Sequence, residues 1–141
     1  MDQRLRDYYI ETQVNNATPG QLLVMLYDCL LEHAELAVQE ISSPTNPGDS
    51  SHAARQVSWC INVLTELNTC LRHGVEPKLC FVLGDLYVFF TRQLSEALET
   101  QQADKIREIL PLIKKLRNTW HEADRLAGKA QAGSIAIAIA A

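Results

Sequence analysis

Apolar residues recur every three or four positions along most of the chain, and this spacing predicts four long helices. The predicted helices cover about 19–41, 51–73, 78–100 and 103–126. The first has the clearest start, because Thr18, Pro19 and Gln21 fit a capping box with proline at the first helical position. The fourth contains Pro111, which removes one backbone hydrogen bond and is expected to kink that helix.

The links between these helices are short or rich in proline and glycine. Residues 42–50 read SSPTNPGDS, and Gly74 is placed to end the second helix. Four helices with mostly short links predict an all-α, antiparallel up-and-down four-helix bundle over residues 18–127. Residues 1–17 are expected to form a partly ordered segment packed on it. The apolar Ile/Ala tail, 128–141, is expected to be flexible or to dock in an apolar groove of its own bundle or a neighbour's.

Two of the predicted helices are more apolar than one bundle seam requires. A bundle helix needs about three apolar positions in seven. Asp28 is nevertheless the one charged residue in 22–31, and residues 79–90 of helix three are similarly apolar. Either both helices are well buried against their neighbours, or the excess is covered by residues 1–17, by another chain, or by both. The second alternative favours helix-in-groove binding of a partner.

Composition narrows the class of partner. The chain has 141 residues and a net charge of −4, and its basic residues form no run or stripe, so nucleic acid is not expected to bind. It lacks a signal peptide and any apolar run of the roughly 20 residues that cross a membrane, which indicates a cytosolic protein without membrane insertion. The four cysteines lie within apolar helical patterns and are interpreted as small buried hydrophobic residues.

Potential metal-binding and catalytic groups do not assemble into a site. Cys29 with His33, and Cys70 with His73, have helical spacings that suit a metal ion, but the predicted topology separates the two pairs by about two turns. The chain also lacks the Glu-x-x-His motif of carboxylate-bridged metal bundles, a Gly-rich phosphate loop, HExxH and GxSxG. We therefore expect no enzyme activity, no catalytic residues, no metal and no cofactor.

Short motifs follow one another in a fixed order from Tyr9 to Ala123. The first group comprises Tyr9, Thr12, Val14, Thr18, Pro19, Leu22, Leu23, Met25, Leu26, Tyr27 and Asp28. The second comprises Leu86, Tyr87, Arg92, Leu94, Trp120 and Ala123. Their order and spacing resemble the flagellar secretion chaperone family FliS. The chain departs from that pattern at Cys29, where many members have glycine, at Pro111 and in the Ile/Ala tail.

This resemblance implies a bacterial cytosolic chaperone that binds the C-terminal segment of flagellin, prevents its premature polymerisation and delivers it to the type III export gate in the membrane. A co-chaperone is a further partner to consider. The resemblance also implies that residues around Tyr8, Tyr9 and Ile10 cover part of the groove in the free chaperone.

The residues predicted to line the flagellin groove come from helices one, three and four. They are Leu22, Met25, Leu26, Leu83, Tyr87, Phe90, Ile106 and Ile113. Periodicity leaves open whether any of them belongs to the core instead. The alternative function is a self-associating helical bundle that does not bind flagellin and buries its apolar excess in a homodimer. The oligomeric state expected for the chaperone is a monomer or weak homodimer.

Overall fold

A computed structural model describes residues 17–71 and 76–130, with side chains as far as Leu126. These residues form α1 (Pro19–Ser42), α2 (Ser51–Thr69), α3 (Pro77–Thr100) and α4 (Asp104–Ala130). Each helix packs against the next along the chain, and α4 packs against α1. The predicted all-α four-helix bundle is confirmed. The predictions for residues 1–16 and 131–141 concern parts of the chain outside the described residues.

The start of α1 has the predicted capping box. The backbone amide of Gln21 donates to Thr18 Oγ1 over 3.1 Å, and the amide of Thr18 donates to Gln21 Oε1 over 3.0 Å. Thr18 Oγ1 also donates to Asp124 Oδ1 of α4 over 3.3 Å. Gly20 is buried beside the same carboxylate, where a Cβ atom would overlap it. The absent side chain at Gly20 therefore lets α1 and α4 approach closely at this end of the bundle.

The second helix ends earlier than the predicted His73. The amide of Cys70 still donates to Glu66 O, but the amide of Leu71 donates to Asn68 O over 3.2 Å, three residues back. The chain tightens there and leaves the helix after Thr69. The other helix ends lie within a few residues of their predicted positions, and α4 passes through Pro111 to Ala130. Pro111 is exposed, so its missing amide hydrogen bond falls on the solvent side of α4.

The core runs along the inside of the whole bundle and receives large side chains from all four helices. The largest fully buried ones are Leu23, Tyr27, Leu30, Leu64, Leu67, Leu83, Phe90, Leu94, Ile106, Ile109 and Ile113. The surplus apolar side chains of α1, among them Leu26 and Leu31, are half-buried and pack against this core. For these α1 side chains, burial against neighbouring helices accounts for the excess hydrophobicity. The surplus of α3 is placed differently.

Candidate partner-binding surface

Five of the side chains predicted to line an exposed groove belong to the core. They are Leu83, Tyr87, Phe90, Ile106 and Ile113. The expectation that these five line an open groove is corrected, because almost none of their surface is accessible. Leu22, Met25 and Leu26 are half-buried on α1, while Tyr8, Tyr9 and Ile10 lie outside the described residues. Contact between these residues and a partner stays a prediction.

Four large apolar side chains of α3 are exposed on its outer side, namely Phe81, Val82, Val88 and Phe89. Val82 is 57% exposed and Val88 is 59% exposed, although Leu83 and Tyr87, which lie between them in sequence, are buried. Apolar residues thus surround most of the circumference of α3. Grouped exposed apolar side chains mark an interaction surface.

Three polar contacts fix how α3 and α4 face each other. Gln93 Nε2 donates to the backbone oxygen of Lys105 over 3.1 Å and to Glu108 Oε2 over 3.0 Å. Lys105 Nζ lies 3.2 Å from Glu96 Oε2. Gln93 and Glu96 therefore lie on the side of α3 that faces α4, and Lys105 and Glu108 lie on the side of α4 that faces α3.

Helical spacing extends these two sides along the rest of each helix. On α3, steps of three or four residues back from Gln93 reach Phe89, Leu86 and Val82. On α4, the same steps onward from Glu108 reach Leu112, Leu116, Thr119, Ala123 and Leu126. Because the helices are antiparallel, the two rows run side by side. We call Val82, Leu86, Phe89, Leu112, Leu116 and Leu126 the apolar strip.

The apolar strip has a half-buried floor and exposed edges. Leu86 and Leu116 are half-buried against the core, whereas Val82, Phe89, Leu112 and Leu126 are exposed. On its α4 side the strip adjoins an open depression of about 790 Å³, where Thr119, Ala123 and Leu126 meet polar side chains that include Lys115 and Glu122. An apolar line edged by charged residues is a surface suited to one face of an amphipathic helix.

Three of the four exposed members of the strip are next in sequence to predicted groove residues that belong to the core. Val82, Phe89 and Leu112 each precede a predicted groove residue by one position. Both positions of each pair are apolar, so periodicity alone fits either one. A signal that could have separated them is the Glu96–Lys105 pair, since opposite charges across a short turn indicate which sides of two helices face each other.

A second, smaller groove lies on the opposite side of α3, where it meets α2. It has a volume of about 340 Å³ and is lined by Leu64, Thr65, Asn68, Tyr87, Val88, Thr91 and Arg92. This groove is more polar along its α2 wall than the apolar strip. It contains Val88, which makes that residue a natural comparison for Val82.

A buried polar cluster lies beneath α3 and joins it to the diagonal helix α1. The hydroxyl oxygens of Tyr27 and Tyr87 are 2.7 Å apart. Burial raises the pKa of both tyrosines, so both phenols stay neutral. The Trp120 indole N–H lies beside Tyr27 and slightly favours its phenolate, but it makes no well-aligned hydrogen bond to any residue that the structure describes. The cluster fixes the rotation of α3 in the core and therefore the direction in which the apolar strip faces.

The side of the bundle formed by α1 and α4 is polar and carries ion pairs instead. Arg117 Nε lies 2.7 Å from Asp28 Oδ1, and Lys114 Nζ lies 3.8 Å from Glu35 Oε1. Asp28 raises the pKa of Arg117, which remains charged in any case. The same side also has an open depression of about 420 Å³, where Val24 and Met25 of α1 meet Arg117, His121 and Asp124 of α4.

Among the groups considered for metal or thiol chemistry, His33 and the four cysteines occupy structural positions, while His73 lies outside the described residues. His33 Nδ1 is 2.6 Å from Gln56 Oε1, and its ring stacks on Trp59 with centroids 5.4 Å apart. None of the four cysteines, all within the described residues, forms a disulfide. Desolvation of Cys60, with a smaller effect of Cys29, raises the pKa of the Cys60 thiol to about 12, which leaves it a poor nucleophile. Within residues 17–71 and 76–126, no three acidic, histidine or cysteine side chains are grouped to hold a metal ion.

None of the helices α1 to α4 combines the length and hydropathy of a membrane-spanning segment over its described residues.

Comparison with known proteins matches residues 1–127 of the chain to the family described as flagellar protein FliS. The chain is also 29% identical over 130 residues to a protein of Bacillus subtilis (strain 168) named flagellar secretion chaperone FliS. That alignment covers 92% of this chain and 93% of the relative. Because this match runs from the first residue to within three residues of the end of α4, the chain belongs to the flagellar protein FliS family.

Proposed function

We propose that this protein is a flagellar export chaperone that binds the C-terminal segment of flagellin along the apolar strip. The observation that supports the proposal is the exposed row of apolar side chains on α3 and α4 in a chain of this family. The Bacillus subtilis relative bears the name flagellar secretion chaperone. No described feature of the bundle favours chemistry over binding.

The dimensions of the strip suit a helical ligand. From Leu112 to Leu126 the strip extends 14 residues along α4, a distance of about 21 Å, or roughly four helical turns. An amphipathic helix of similar length could place apolar residues at three- and four-residue spacing along this line. In doing so it would hide the face that flagellin subunits use to associate.

Binding of this kind is reversible because it is coupled to ordering of the ligand. A segment that is disordered before it binds loses conformational entropy when it becomes helical, and this cost offsets part of the apolar burial. The bundle itself needs little rearrangement, since the Tyr27–Tyr87 pair already holds α3 in place. Moderate affinity follows, as release at an export site requires.

The family resemblance alone supports the remaining steps of the proposal. In it, the chaperone acts in the bacterial cytosol, residues around Tyr8, Tyr9 and Ile10 cover part of the binding surface until flagellin displaces them, and the complex is delivered to the type III export gate. A co-chaperone would join at a surface away from the apolar strip.

The proposal is tested by a matched pair of substitutions on one helix. Val82→Asp places a charge in the apolar strip, and Val88→Asp places the same charge on the opposite flank of α3. The two valines have nearly equal exposure, 57% and 59%, so both variants are expected to fold. Isothermal titration calorimetry with the C-terminal segment of flagellin should give one-to-one binding with a negative heat-capacity change for the wild type. Val82→Asp should weaken binding at least tenfold, about 1.4 kcal/mol, and Val88→Asp should not.

Three results would contradict the proposal. Equal binding by both variants would move the ligand away from the apolar strip, and equal loss would assign it to the whole outer side of α3. Absence of binding by the folded wild-type protein, with light scattering that shows a tight dimer dissociated by Val82→Asp, would favour the self-associating bundle.

A further inference from the structure

The final residues of α4 lie at the end of the bundle where α3 begins, because the two helices are antiparallel. α4 is described as far as Ala130, about one turn beyond Leu126 of the apolar strip. Residues 131–141 follow, outside the described residues and beyond the 1–127 match to the family. This Ile/Ala segment therefore begins about one turn past the Leu126 end of the strip.

The Ile/Ala segment has an apolar sequence, which favours its burial against another surface. Gly133 and Ser134 favour a change of chain direction, and Ile135, Ile137 and Ile139 then alternate with alanine. In an extended chain these three isoleucines lie on one side, spaced over about 13 Å, with the alanines on the other. The segment carries no charged residue. The described part of the bundle contains no strand with which it could pair.

The reach of the segment matches the nearer half of the apolar strip. The five residues from Ala130 to Ile135 span at most about 17 Å when extended. A chain that turns back at Gly133 can therefore place Ile135 near Leu126, with the next two isoleucines following the strip toward Val82. Their 13 Å span is about the distance along α4 from Leu126 to the level of Val82, which the Gln93 contacts with Lys105 and Glu108 set near Leu116–Thr119. Phe89 and Leu112 at the far end would stay uncovered.

We propose that the Ile/Ala segment folds back on its own bundle, covers the Val82 and Leu126 half of the apolar strip, and competes with the ligand of that strip. The docking itself does not depend on the identity of the ligand; its competition with flagellin rests on the proposed function. A ligand enters at the uncovered Phe89 and Leu112 end and displaces the segment. The apparent affinity of the ligand is lowered, because only molecules in which the segment is undocked can bind it.

A matched pair within the segment tests the docking without any ligand. Ile137→Asp charges the apolar side of the segment, Ala136→Asp charges its other side, and a chain ending at Ala130 removes the segment. Hydroxyl-radical footprinting of the full chain measures the modification rates of Val82 and Leu126. We expect both rates to rise roughly twofold or more for Ile137→Asp and for the shortened chain, and to stay at the wild-type value for Ala136→Asp. Equal rates in all four proteins would overturn the docking.

The same proteins separate the related outcomes. If the protection of Val82 from modification is lost on dilution and analytical ultracentrifugation shows a dimer, the docked segment belongs to a second copy. That result would overturn the intramolecular contact. In calorimetry, the shortened chain should bind the flagellin segment roughly two- to tenfold more tightly than the full chain. If the footprint responds as expected but no form binds flagellin, the docking stands and the proposed function fails.

Discussion

Phe89 and Phe90 are adjacent phenylalanines with opposite positions in the bundle, and this pair separates binding from stability. Phe89 is 38% exposed on the apolar strip, while Phe90 is fully buried in the core. Truncation of Phe90 to alanine leaves a cavity, which costs about 3–5 kcal/mol of unfolding free energy. Truncation of Phe89 leaves no enclosed cavity, because one edge of the ring already faces solvent, and should cost less than half as much.

The effect of Phe89→Ala on binding can be estimated from its exposed area. A phenylalanine side chain carries about 150–250 Å², so an exposed fraction of 38% leaves roughly 60–95 Å² for a ligand to cover. At about 25 cal/mol per Å² this area contributes roughly 1.5–2.4 kcal/mol to binding, part of which alanine retains. Phe89→Ala should therefore weaken binding of the flagellin segment about tenfold.

The two effects are measured on the same samples. Urea denaturation gives the unfolding free energy, and calorimetric titration at a temperature where both variants are fully folded gives the Kd. We expect weaker binding with a modest loss of stability for Phe89→Ala, and a large loss of stability with little change in Kd for Phe90→Ala. The opposite assignment, with binding lost only in Phe90→Ala, would refute the rotation of α3 on which the apolar strip depends.

Three further predictions concern the bundle itself. Thr18→Ala removes the helix cap of α1 and should cost about 1 kcal/mol, seen as a lower midpoint in thermal unfolding by circular dichroism; an unchanged midpoint would contradict the capping box. Tyr87→Phe leaves the buried Tyr27 hydroxyl without its partner and should lower the unfolding free energy by about 1–3 kcal/mol, measured by urea denaturation. The double variant with Tyr27→Phe should lose less than the sum of the two single losses. Additive losses would argue against the hydrogen bond between the two hydroxyls. Burial raises the pKa of Cys60 from 9.0 to about 12, so the thiol stabilises the fold below pH 9 and this contribution is lost as the pH rises toward 12. Between pH 7 and pH 10 the unfolding free energy should fall by about 1.4 kcal/mol because of this thiol. Cys60→Ala should remove that part of the pH dependence. An equal pH dependence in the variant would show that the thiol is not desolvated.

The pattern of apolar residues was sufficient for the bundle but not for the rotation of each helix. Spacing and caps located all four helices, and the Thr18–Gln21 capping box is confirmed in detail. α2 ends before the predicted glycine stop because the chain tightens at Leu71. At Val82–Leu83 and Phe89–Phe90, both neighbours are apolar, and they point about 100° apart on a helix. Only contacts between helices, such as Gln93 with Glu108, decide which of the two faces the core.

The two over-apolar helices show why the amount of hydrophobicity does not locate a surface. α1 packs between α2 and α4, and its surplus side chains Leu26, Leu31 and Val38 are half-buried against the core. α3 is no more apolar in sequence, yet Phe81, Val82, Val88 and Phe89 remain exposed. The difference arises from the packing of neighbouring helices, which involves residues far apart in the chain.

Methyl NMR of the full chain with the C-terminal segment of flagellin tests most directly whether the apolar strip is the binding surface. Isotope-labelled methyl groups report separately on Val82, Leu112 and Leu126 in the strip, on Val88 across α3, and on Val38 in α1. We expect intermolecular contacts from flagellin to the three strip residues and none to Val38. Contacts to Val38 or to Val88 alone, with the methyl signals of the strip unchanged, would contradict the assignment of the apolar strip as the binding surface.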